Sequence, residues 1–236
     1  MPASGLLITG TDTGVGKTFV VCGLAAALHR RGLRVAPFKP AETGCERDPV
    51  SGELIPADAQ LLRRASQTEA PLEIICPYRF APPLAPEVAA SQAGIAIDPQ
   101  RILDCYQTLS SAHDIVLVET AGGILVPLAE DFNYGDLARF LGLPVLVVVR
   151  SKLGAINHTL LTFKYLASAG LSIVACVLNH PFAERSLAVE TNEATLRRLL
   201  RQPLYVIPHS PVSQRPWENR GFDELAAQIL VQLPAR

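Results

Sequence analysis

The chain has 236 residues, of which 49% are hydrophobic and 18% are charged, and its net charge is −1. This composition supplies a large buried core and excludes an intrinsically disordered chain, which would be polar and rich in charge. The sequence contains no dense run of lysine and arginine, so neither a nucleic acid nor a membrane surface is an expected partner. We expect a single α/β domain over residues 1–236 that binds small molecules.

The cysteines and the apolar segments indicate the compartment. The five cysteines are scattered and include no Cys-x-x-Cys pair, which favours a reducing compartment over a disulfide framework or a zinc site. The N-terminus carries no basic leader, and no stretch approaches the roughly 20 apolar residues that span a bilayer. We therefore expect a cytoplasmic protein with no membrane contact.

The first predicted elements enclose a glycine-rich loop. An apolar strand at Leu6–Thr9 is followed by a helix at Thr18–Arg30, which Gly32 ends. Between them lies Gly10–Thr18, with the sequence Gly-Thr-Asp-Thr-Gly-Val-Gly-Lys-Thr. A strand, a glycine-rich turn and a helix in this order form the setting of a phosphate-binding loop, so nucleotide binding is the strongest functional prediction.

Four residues of this loop have separate electrostatic tasks. Gly14 and Gly16 let the backbone curl so that its N–H groups face a polyphosphate at the start of the helix. Lys17 neutralises the charge of the terminal phosphate, and the hydroxyl of Thr18 can bind Mg²⁺.

Three positions separate this loop from other phosphate-binding loops. The generic pattern Gly-x-x-x-x-Gly-Lys-[Ser/Thr] requires glycine where the chain has Thr11, and Gly10 stands one place too early. Asp12 occupies a position at which nucleotide-switched positioning ATPases carry lysine. Asp12 therefore argues against that class of protein.

The second predicted strand, Leu33–Phe38, leads directly into Lys39 and Thr43 within the run Lys-Pro-Ala-Glu-Thr-Gly. Ligands of open α/β sheets collect at the carboxyl ends of the strands, so Lys39 can hold an anionic group beside the γ-phosphate. A lysine after a strand is more often a solvated surface charge, and only the phosphate loop makes the functional interpretation the stronger one.

The middle of the chain contributes two carboxylates. Asp58, taken alone, is an ordinary carboxylate at a helix start. A proline-punctuated loop at residues 82–86 enters a short helix, and a second helix is predicted at Pro99–Ser111. The buried strand Ile115–Val118 then ends at Glu119, which is the arrangement that binds a hard Mg²⁺ ion in phosphate-loop enzymes.

The next segments alternate in the same way. Residues 120–134 are predicted to form a long functional loop, and Val145–Val149 is a core strand. A helix at Ile156–Ala169 begins close to Asn157 and His158. The N–H groups at this helix start suit a carboxylate ligand. The two side chains fit equally a cap and a solvated helix face.

The last predicted elements are the strand Ile173–Leu178, the helix Glu190–Leu200, a loop at Pro211–Pro216 and a helix at Phe222–Leu233. Asn179 follows the strand, where asparagine is also a common turn residue. The strands are continuous apolar runs and alternate with helices. This pattern predicts a mainly parallel, doubly wound α/β sheet of the P-loop NTPase type.

These motifs together resemble the dethiobiotin synthetase family, from Gly10 to about Pro208. In the segment that begins at Glu119, Thr120 stands where the family has glycine. The matching segments are the loop Gly10–Thr18; Lys39–Gly44, similar to Lys-Pro-x-x-[Ser/Thr]-Gly; Glu119–Gly123, similar to Glu-Gly-Ala-Gly-Gly; and Leu153–His158, similar to Leu-Gly-x-Ile-Asn-His.

The resemblance implies a reaction of 7,8-diaminononanoate, CO2 and MgATP that gives dethiobiotin, ADP and phosphate in biotin biosynthesis. The path would run through a carbamate and a carbamic-phosphoric anhydride, because a carbamate is a poor electrophile until its oxygen is phosphorylated. The resemblance also implies Mg²⁺ as cofactor and a homodimer with composite active sites.

The resemblance assigns roles residue by residue. The catalytic residues would be Thr13, Lys17 and Lys39, and the Mg²⁺ ligands would be Thr18, Asp58 and Glu119. The nucleotide would be bound by Thr11, Asp12, Thr13, Gly14, Val15, Gly16, Lys17, Thr18, Glu119, Gly122, Asn179 and Pro208. The diamine would be bound by Lys39, Thr43, Leu153, Gly154 and Asn157, the segment around Asn157 reaching across the dimer interface.

Two other functions share this loop and fold. One is a P-loop amide-forming ligase, a group that usually carries a glutamine amidotransferase domain with a catalytic cysteine. The other is a nucleotide-switched positioning or maturation ATPase, which binds a partner protein and transforms no metabolite. A requirement for the diamine in ADP release would separate the last from an enzyme.

Overall fold

The computed structural model describes residues 4–183, 185–210 and 215–233. In these ranges the strands are β1 (Ser4–Gly10), β2 (Val35–Phe38), β3 (Ala41–Thr43), β4 (Glu46–Arg47), β5 (Leu54–Ile55), β6 (Tyr78–Phe80), β7 (Ile115–Gly123), β8 (Pro127–Ala129), β9 (Phe132–Asn133), β10 (Val145–Arg150), β11 (Ile173–Asn179) and β12 (Leu204–Ile207). The helices are α1 (Lys17–Arg30), α2 (Ala57–Ser66), α3 (Leu72–Ile75), α4 (Pro86–Gln92), α5 (Pro99–Ala112), α6 (Tyr134–Phe140), α7 (Ala155–Ser168), α8 (Leu187–Leu199) and α9 (Phe222–Gln232), with a 3₁₀ turn at Pro216–Glu218.

The central sheet confirms the predicted doubly wound architecture. Within the described ranges it has six strands in the order β12-β11-β10-β1-β7-β2, and each neighbouring pair is parallel. Both faces are covered. In β1, Leu7 packs into the core on one face, whereas Leu6 and Ile8 pack into the core on the other. The continuous apolar runs are therefore explained by burial on two sides.

Most of the predicted helices are confirmed, with small shifts at their ends. Helix α1 begins at Lys17, one residue before the prediction. Helix α8 begins at Leu187, three residues before it, because the Ser186 hydroxyl accepts a hydrogen bond from the Val189 N–H and caps the helix there. The short helix after the prolines is α4.

The prediction of a long loop over residues 120–134 is wrong. Strand β7 continues beyond Glu119 to Gly123, which pairs with Gly10 after a shift in register. The hairpin of β8 and β9 follows. Helix α6 then begins behind Asn133, whose side chain forms a capping box with Asp136.

Two further points concern the ends of elements. Of the predicted loop at Pro211–Pro216, residues 211–214 lie outside the described residues, and Pro216 opens the 3₁₀ turn. Across the described ranges, no helix combines the length and the apolar character that a membrane span requires.

Because β1, β7 and β2 are neighbours, their carboxyl ends bring the phosphate loop, Glu119 and Lys39 to one edge of the sheet.

Candidate active site

The phosphate loop joins the end of β1 to the start of α1. Gly14 and Gly16 both have positive φ, of 69° and 90°, and Gly16 is the N-cap of α1 without a side-chain cap. The left-handed conformation is strained for any residue with a Cβ atom, which explains why glycine occupies both positions. The free N–H groups of the helix start are available to an anion.

The geometry explains the departure from the generic loop pattern. A Cβ atom on Gly10 would lie 2.7 Å from Val15 Cγ2 and 3.0 Å from Lys17 Nζ, so a side chain is excluded there. Thr11 is not among the described residues with positive φ, and its N–H donates to the Val148 carbonyl at 3.0 Å. The first glycine of this loop is therefore needed at position 10, and Thr11 is accommodated without backbone strain.

Lys17 lies over this loop. Its ammonium donates to the carbonyl oxygen of Asp12 at 3.2 Å, and the residue is buried. Burial lowers the pKa of Lys17, and the negative charge of Glu119 opposes that effect. An ammonium beside this loop supplies the positive charge that binding of a terminal phosphate requires.

Lys39 connects two of the predicted metal ligands. Its ammonium donates to Asp58 Oδ2 and, at 2.9 Å, to Glu119 Oε1. The hydroxyl of Thr18 donates to the same Glu119 oxygen at 2.8 Å. Burial alone would lower the pKa of Lys39, but the carboxylates, Glu119 first, outweigh it and raise the pKa well above its ordinary value. Lys39 therefore keeps its charge.

The donor set fits a hard divalent cation. Glu119 Oε2 is buried, and no hydrogen-bond partner for it is found among the described residues. A hydroxyl and two carboxylates, from Thr18, Asp58 and Glu119, are the oxygen ligands that Mg²⁺ prefers. No group of three or more His, Cys, Asp or Glu side chains forms a metal cluster in the described part of the chain.

Glu42 is a residue of the site that the sequence analysis did not single out. It is buried, and its two carboxylate oxygens accept hydrogen bonds from the N–H groups of Asp58, at 2.9 Å, and Ala59, at 3.0 Å. Burial raises the pKa of Glu42, and Lys39 opposes that effect. The sequence did offer a signal for Glu42, because it lies inside the motif Lys39–Gly44 at a position where the family pattern accepts any residue.

A cleft of about 710 Å³ collects most of the predicted residues. One wall is apolar and comes from the segment before α4 and from Val126. The predicted residues on its walls are Thr13, Gly14, Gly16, Lys17, Thr18, Lys39, Thr43, Asp58, Glu119 and Gly122.

Thr120, which replaces a glycine of the resembling family, lies in β7 and is fully buried. It is absent from the described residues with positive φ. Its hydroxyl contacts Gly122 O at 2.8 Å and Thr9 Oγ1 at 3.3 Å. The threonine therefore leaves the backbone unstrained and ties the end of β7 to β1.

Asp12 forms part of a link between two loops. Its carboxylate accepts the Thr13 N–H at 2.8 Å and the Lys152 ammonium at 3.2 Å. The hydrogen bond from Thr13 is the main reason why the pKa of Asp12 lies below its ordinary value. A lysine at position 12, as in the positioning ATPases, would remove both contacts.

The side chain of Asn179 is bonded to the backbone of the phosphate loop. Its side-chain N–H₂ donates to the Val15 carbonyl at 2.9 Å, and the residue is buried. Pro208 is exposed and follows β12, whose Ile207 pairs with Asn179. The two predicted nucleotide-binding residues thus lie at the ends of neighbouring strands, and Asn179 contacts the phosphate loop.

Three of the predicted diamine-binding residues, Leu153, Gly154 and Asn157, lie outside the cleft of their own chain. Leu153 is 86% exposed, Gly154 and Asn157 are also exposed, and none of the three lines the cleft. Gly154 is the N-cap of α7, with φ 90° and no side-chain cap. The start of α7 therefore lies on the exposed surface of the chain, outside its own cleft.

The comparisons with known proteins identify relatives over most of the chain. Residues 4–216 match the AAA domain family. The "ATP-dependent dethiobiotin synthetase BioD" of Anaeromyxobacter dehalogenans (strain 2CP-C) is 47% identical over 95% of this chain and 98% of its own length. The protein of the same name from Aromatoleum aromaticum is 41% identical over 86% of this chain and 89% of its own length.

Solved structures extend the likeness in fold. The septum site-determining protein MinD of Pyrococcus horikoshii, solved with Mg-ADP, has a TM-score of 0.59 at 18% identity, with 98% of each chain covered. A ParA family ATPase from Chlorobium tepidum has a TM-score of 0.60 at 12% identity, covering 98% of this chain and 99% of its own. At these identities the likeness shows the P-loop NTPase fold alone.

Proposed function

The chain belongs to the ATP-dependent dethiobiotin synthetase family, an ATP-dependent ligase family, and from this premise we propose that it closes a cyclic urea on 7,8-diaminononanoate with CO2 and MgATP. The observation that carries the proposal is the contact of Lys39 with Asp58 and Glu119. It supports the proposal because the ammonium of Lys39, the residue that follows β2, lies beside the two carboxylates proposed as metal ligands, in a cleft that residues of the phosphate loop also line.

The reaction balances in three steps. One amine of the diamine attacks CO2, forms an N–C bond and loses a proton, which gives a carbamate. A carbamate oxygen attacks the γ-phosphorus, forming an O–P bond as the bond to ADP breaks. The neighbouring amine attacks the carbamate carbon, forms the second N–C bond and loses a proton, as the C–O bond to phosphate breaks and phosphate leaves the closed ring.

The residues of the cleft act by position and charge. Lys17 offsets negative charge on the phosphoryl group that is transferred. Lys39, held charged by the carboxylates around it, faces the carbamate and the same phosphoryl group. Thr13 is exposed on the phosphate loop and lines the same cleft, where its hydroxyl is available to the transferred phosphoryl group. When bound by Thr18, Asp58 and Glu119, Mg²⁺ would neutralise phosphate charge.

We place the diamine along the apolar wall of the cleft, with its far carboxylate at the start of α7 in a second subunit. The support is that Leu153, Gly154 and Asn157 are exposed and outside their own cleft. An active site completed by a homodimer follows. The cytoplasm is the proposed compartment, because the described cysteines are all free and buried.

The alternative functions are less well supported. MinD and a ParA family ATPase share the fold, but this chain has Asp12, bonded to Thr13 and Lys152, at the position where a lysine would indicate a nucleotide-switched positioning ATPase. An amidating ligase with a glutaminase needs a reactive thiol. Burial raises the pKa of Cys22 and Cys176, and each cysteine of the described chain is buried.

Release of ADP tests the choice between an enzyme and a switch. We expect the diamine to stimulate ADP and phosphate release in the presence of bicarbonate. An analogue that lacks one amine can form a carbamate but cannot close the ring, and it serves as the control. ADP release that ignores the diamine would support a nucleotide switch instead.

A further inference from the structure

Helix α2 carries Asp58 in its first turn, but its own sequence does not cap it. The N-cap residue is Pro56, and no side chain at that position accepts a hydrogen bond from the helix. The first N–H groups of a helix have no partner inside the helix and need one from outside. In many helices Ser, Thr, Asp or Asn at the N-cap supplies it.

Glu42 supplies the missing partner from another element. It lies in β3, and each of its carboxylate oxygens accepts one N–H from the first turn of α2, at Asp58 and at Ala59. A carboxylate also lies favourably at the positive end of the helix dipole. Its burial protects both hydrogen bonds from water.

The group held in this way is the metal-binding carboxylate. The backbone N–H of Asp58 is bonded to Glu42, and the side chain of the same residue accepts the Lys39 ammonium. That ammonium also bonds Glu119. The position of α2 relative to β3 therefore determines where the Asp58 carboxylate lies relative to Lys39 and Glu119.

We propose that Glu42 is a positioning residue of the ligase, which caps α2 from β3 and thereby sets the Asp58 carboxylate in place for Mg²⁺. The proposal rests on the proposed function of Asp58 as a metal ligand. Glu42 itself uses both oxygens on backbone N–H groups, so its action is through Asp58.

The test is Glu42→Gln in the full chain, with binding of ADP measured by calorimetry with and without Mg²⁺. The amide keeps the shape but turns one acceptor into an N–H₂ group that faces a backbone N–H. We expect the gain in ADP affinity on adding Mg²⁺ to fall by about tenfold or more, as for other residues that orient a metal ligand. The affinity for ADP without Mg²⁺ should stay at the wild-type value.

The matched control is Asp98→Asn, because Asp98 caps α5 by accepting the Gln100 N–H at 2.8 Å and does not line the cleft. It should leave the Mg²⁺ effect unchanged. A lower melting temperature in Glu42→Gln with an unaltered Mg²⁺ effect would mean that Glu42 only stabilises the fold, and would overturn the proposal.

Asp58→Asn, measured in parallel, separates this proposal from the proposed function. If Asp58→Asn weakens the Mg²⁺ effect and Glu42→Gln does not, the role of Glu42 fails and that of Asp58 stands. If neither variant changes the Mg²⁺ effect, both proposals fail.

Discussion

Lys17 contributes charge to the cleft and little to the packing of the fold. Its ammonium is held by one carbonyl, that of Asp12. We predict that Lys17→Ala lowers kcat/KM for MgATP by about a hundredfold or more, the cost of losing one preorganised contact to the transferred group, roughly 3 kcal/mol. The melting temperature should change little, because burial of the Lys17 charge is itself unfavourable.

Steady-state kinetics and thermal melting check this prediction. Lys164→Ala, an exposed lysine on α7, is the control and should retain activity. Turnover of Lys17→Ala within a few-fold of wild type would remove Lys17 from the catalytic residues.

The two carboxylates of the proposed metal site give a second prediction. Asp58→Asn and Glu119→Gln exchange an anionic oxygen for a neutral amide of equal shape, which is a poor ligand for Mg²⁺. We expect each to shift the Mg²⁺ concentration for half-maximal turnover upward by about tenfold, with partial rescue at high Mg²⁺. KM for the diamine should change less.

Titration of turnover with Mg²⁺ is the measurement. Asp104→Asn makes the same chemical change on the exposed face of α5 and should give the wild-type curve. Wild-type curves for both Asp58→Asn and Glu119→Gln would show that neither residue is a ligand.

The single residues that could be predicted from the sequence are those whose side-chain type is required for binding a phosphate or a metal ion. Lys17, Thr18, Lys39 and Glu119 follow strands or open a helix in a recognisable order, and the structure brings them into one cleft. Glu42 was not predicted, because its role depends on a helix start sixteen residues later in the chain.

At the scale of elements, the junction between the phosphate loop and β11 permits only glycine at position 16. A Cβ atom on Gly16 would lie 2.2 Å from the Asn179 side-chain nitrogen, whereas one on Gly14 would meet nothing within 4 Å. Both glycines have positive φ, so both substitutions strain the backbone by about 1–2 kcal/mol.

We therefore predict that Gly16→Ala destabilises the protein more than Gly14→Ala, by about 1–3 kcal/mol beyond the shared backbone strain, as for other overpacked sites. Urea unfolding without nucleotide measures the difference. Addition of Asn179→Ala should recover part of the loss in Gly16→Ala and none in Gly14→Ala. Equal destabilisation by the two glycine substitutions would contradict the contact with Asn179.

The predictability of the elements follows from their length and burial. Strands β1, β7, β10 and β11 are continuous apolar runs, and such runs can be found in a sequence because both of their faces are buried. The short pairs β3–β6 and β8–β9 have two or three residues per strand. Segments of this length have no periodic pattern to detect.

Helix α6 was missed for a different reason. The region after Glu119 was assigned to one long loop, although Asn133 followed three residues later by Asp136 forms the box that begins the helix. An acidic residue in the third position of such a box was the signal available in the sequence.

For the whole molecule, the central question is whether two chains share each active site. If α7 of one chain binds the diamine carboxylate for the cleft of the other, then Lys17→Ala and Asn157→Ala damage different halves of one site. Each variant alone should be poorly active. In a random mixture about half the dimers are mixed, and each of these has one intact site and one doubly damaged site.

We predict that activity of the mixture rises toward about a quarter of the wild-type value after subunit exchange. A site built within one chain gives no rescue, because every chain still carries a lesion in its own site. Subunit exchange must be shown independently, for example by mass measurement of tagged dimers. Confirmed exchange without a rise in activity would contradict the shared site and leave the phosphate-loop chemistry intact.

The central claim is that the cleft transforms a diamine and does not merely respond to nucleotide. Incubation with 7,8-diaminononanoate, ¹³C-bicarbonate and MgATP, followed by mass spectrometry, tests it most directly. We expect one cyclic product that contains a single labelled carbon, formed in equal amount with ADP and phosphate. ADP formation without a labelled ring product would contradict it.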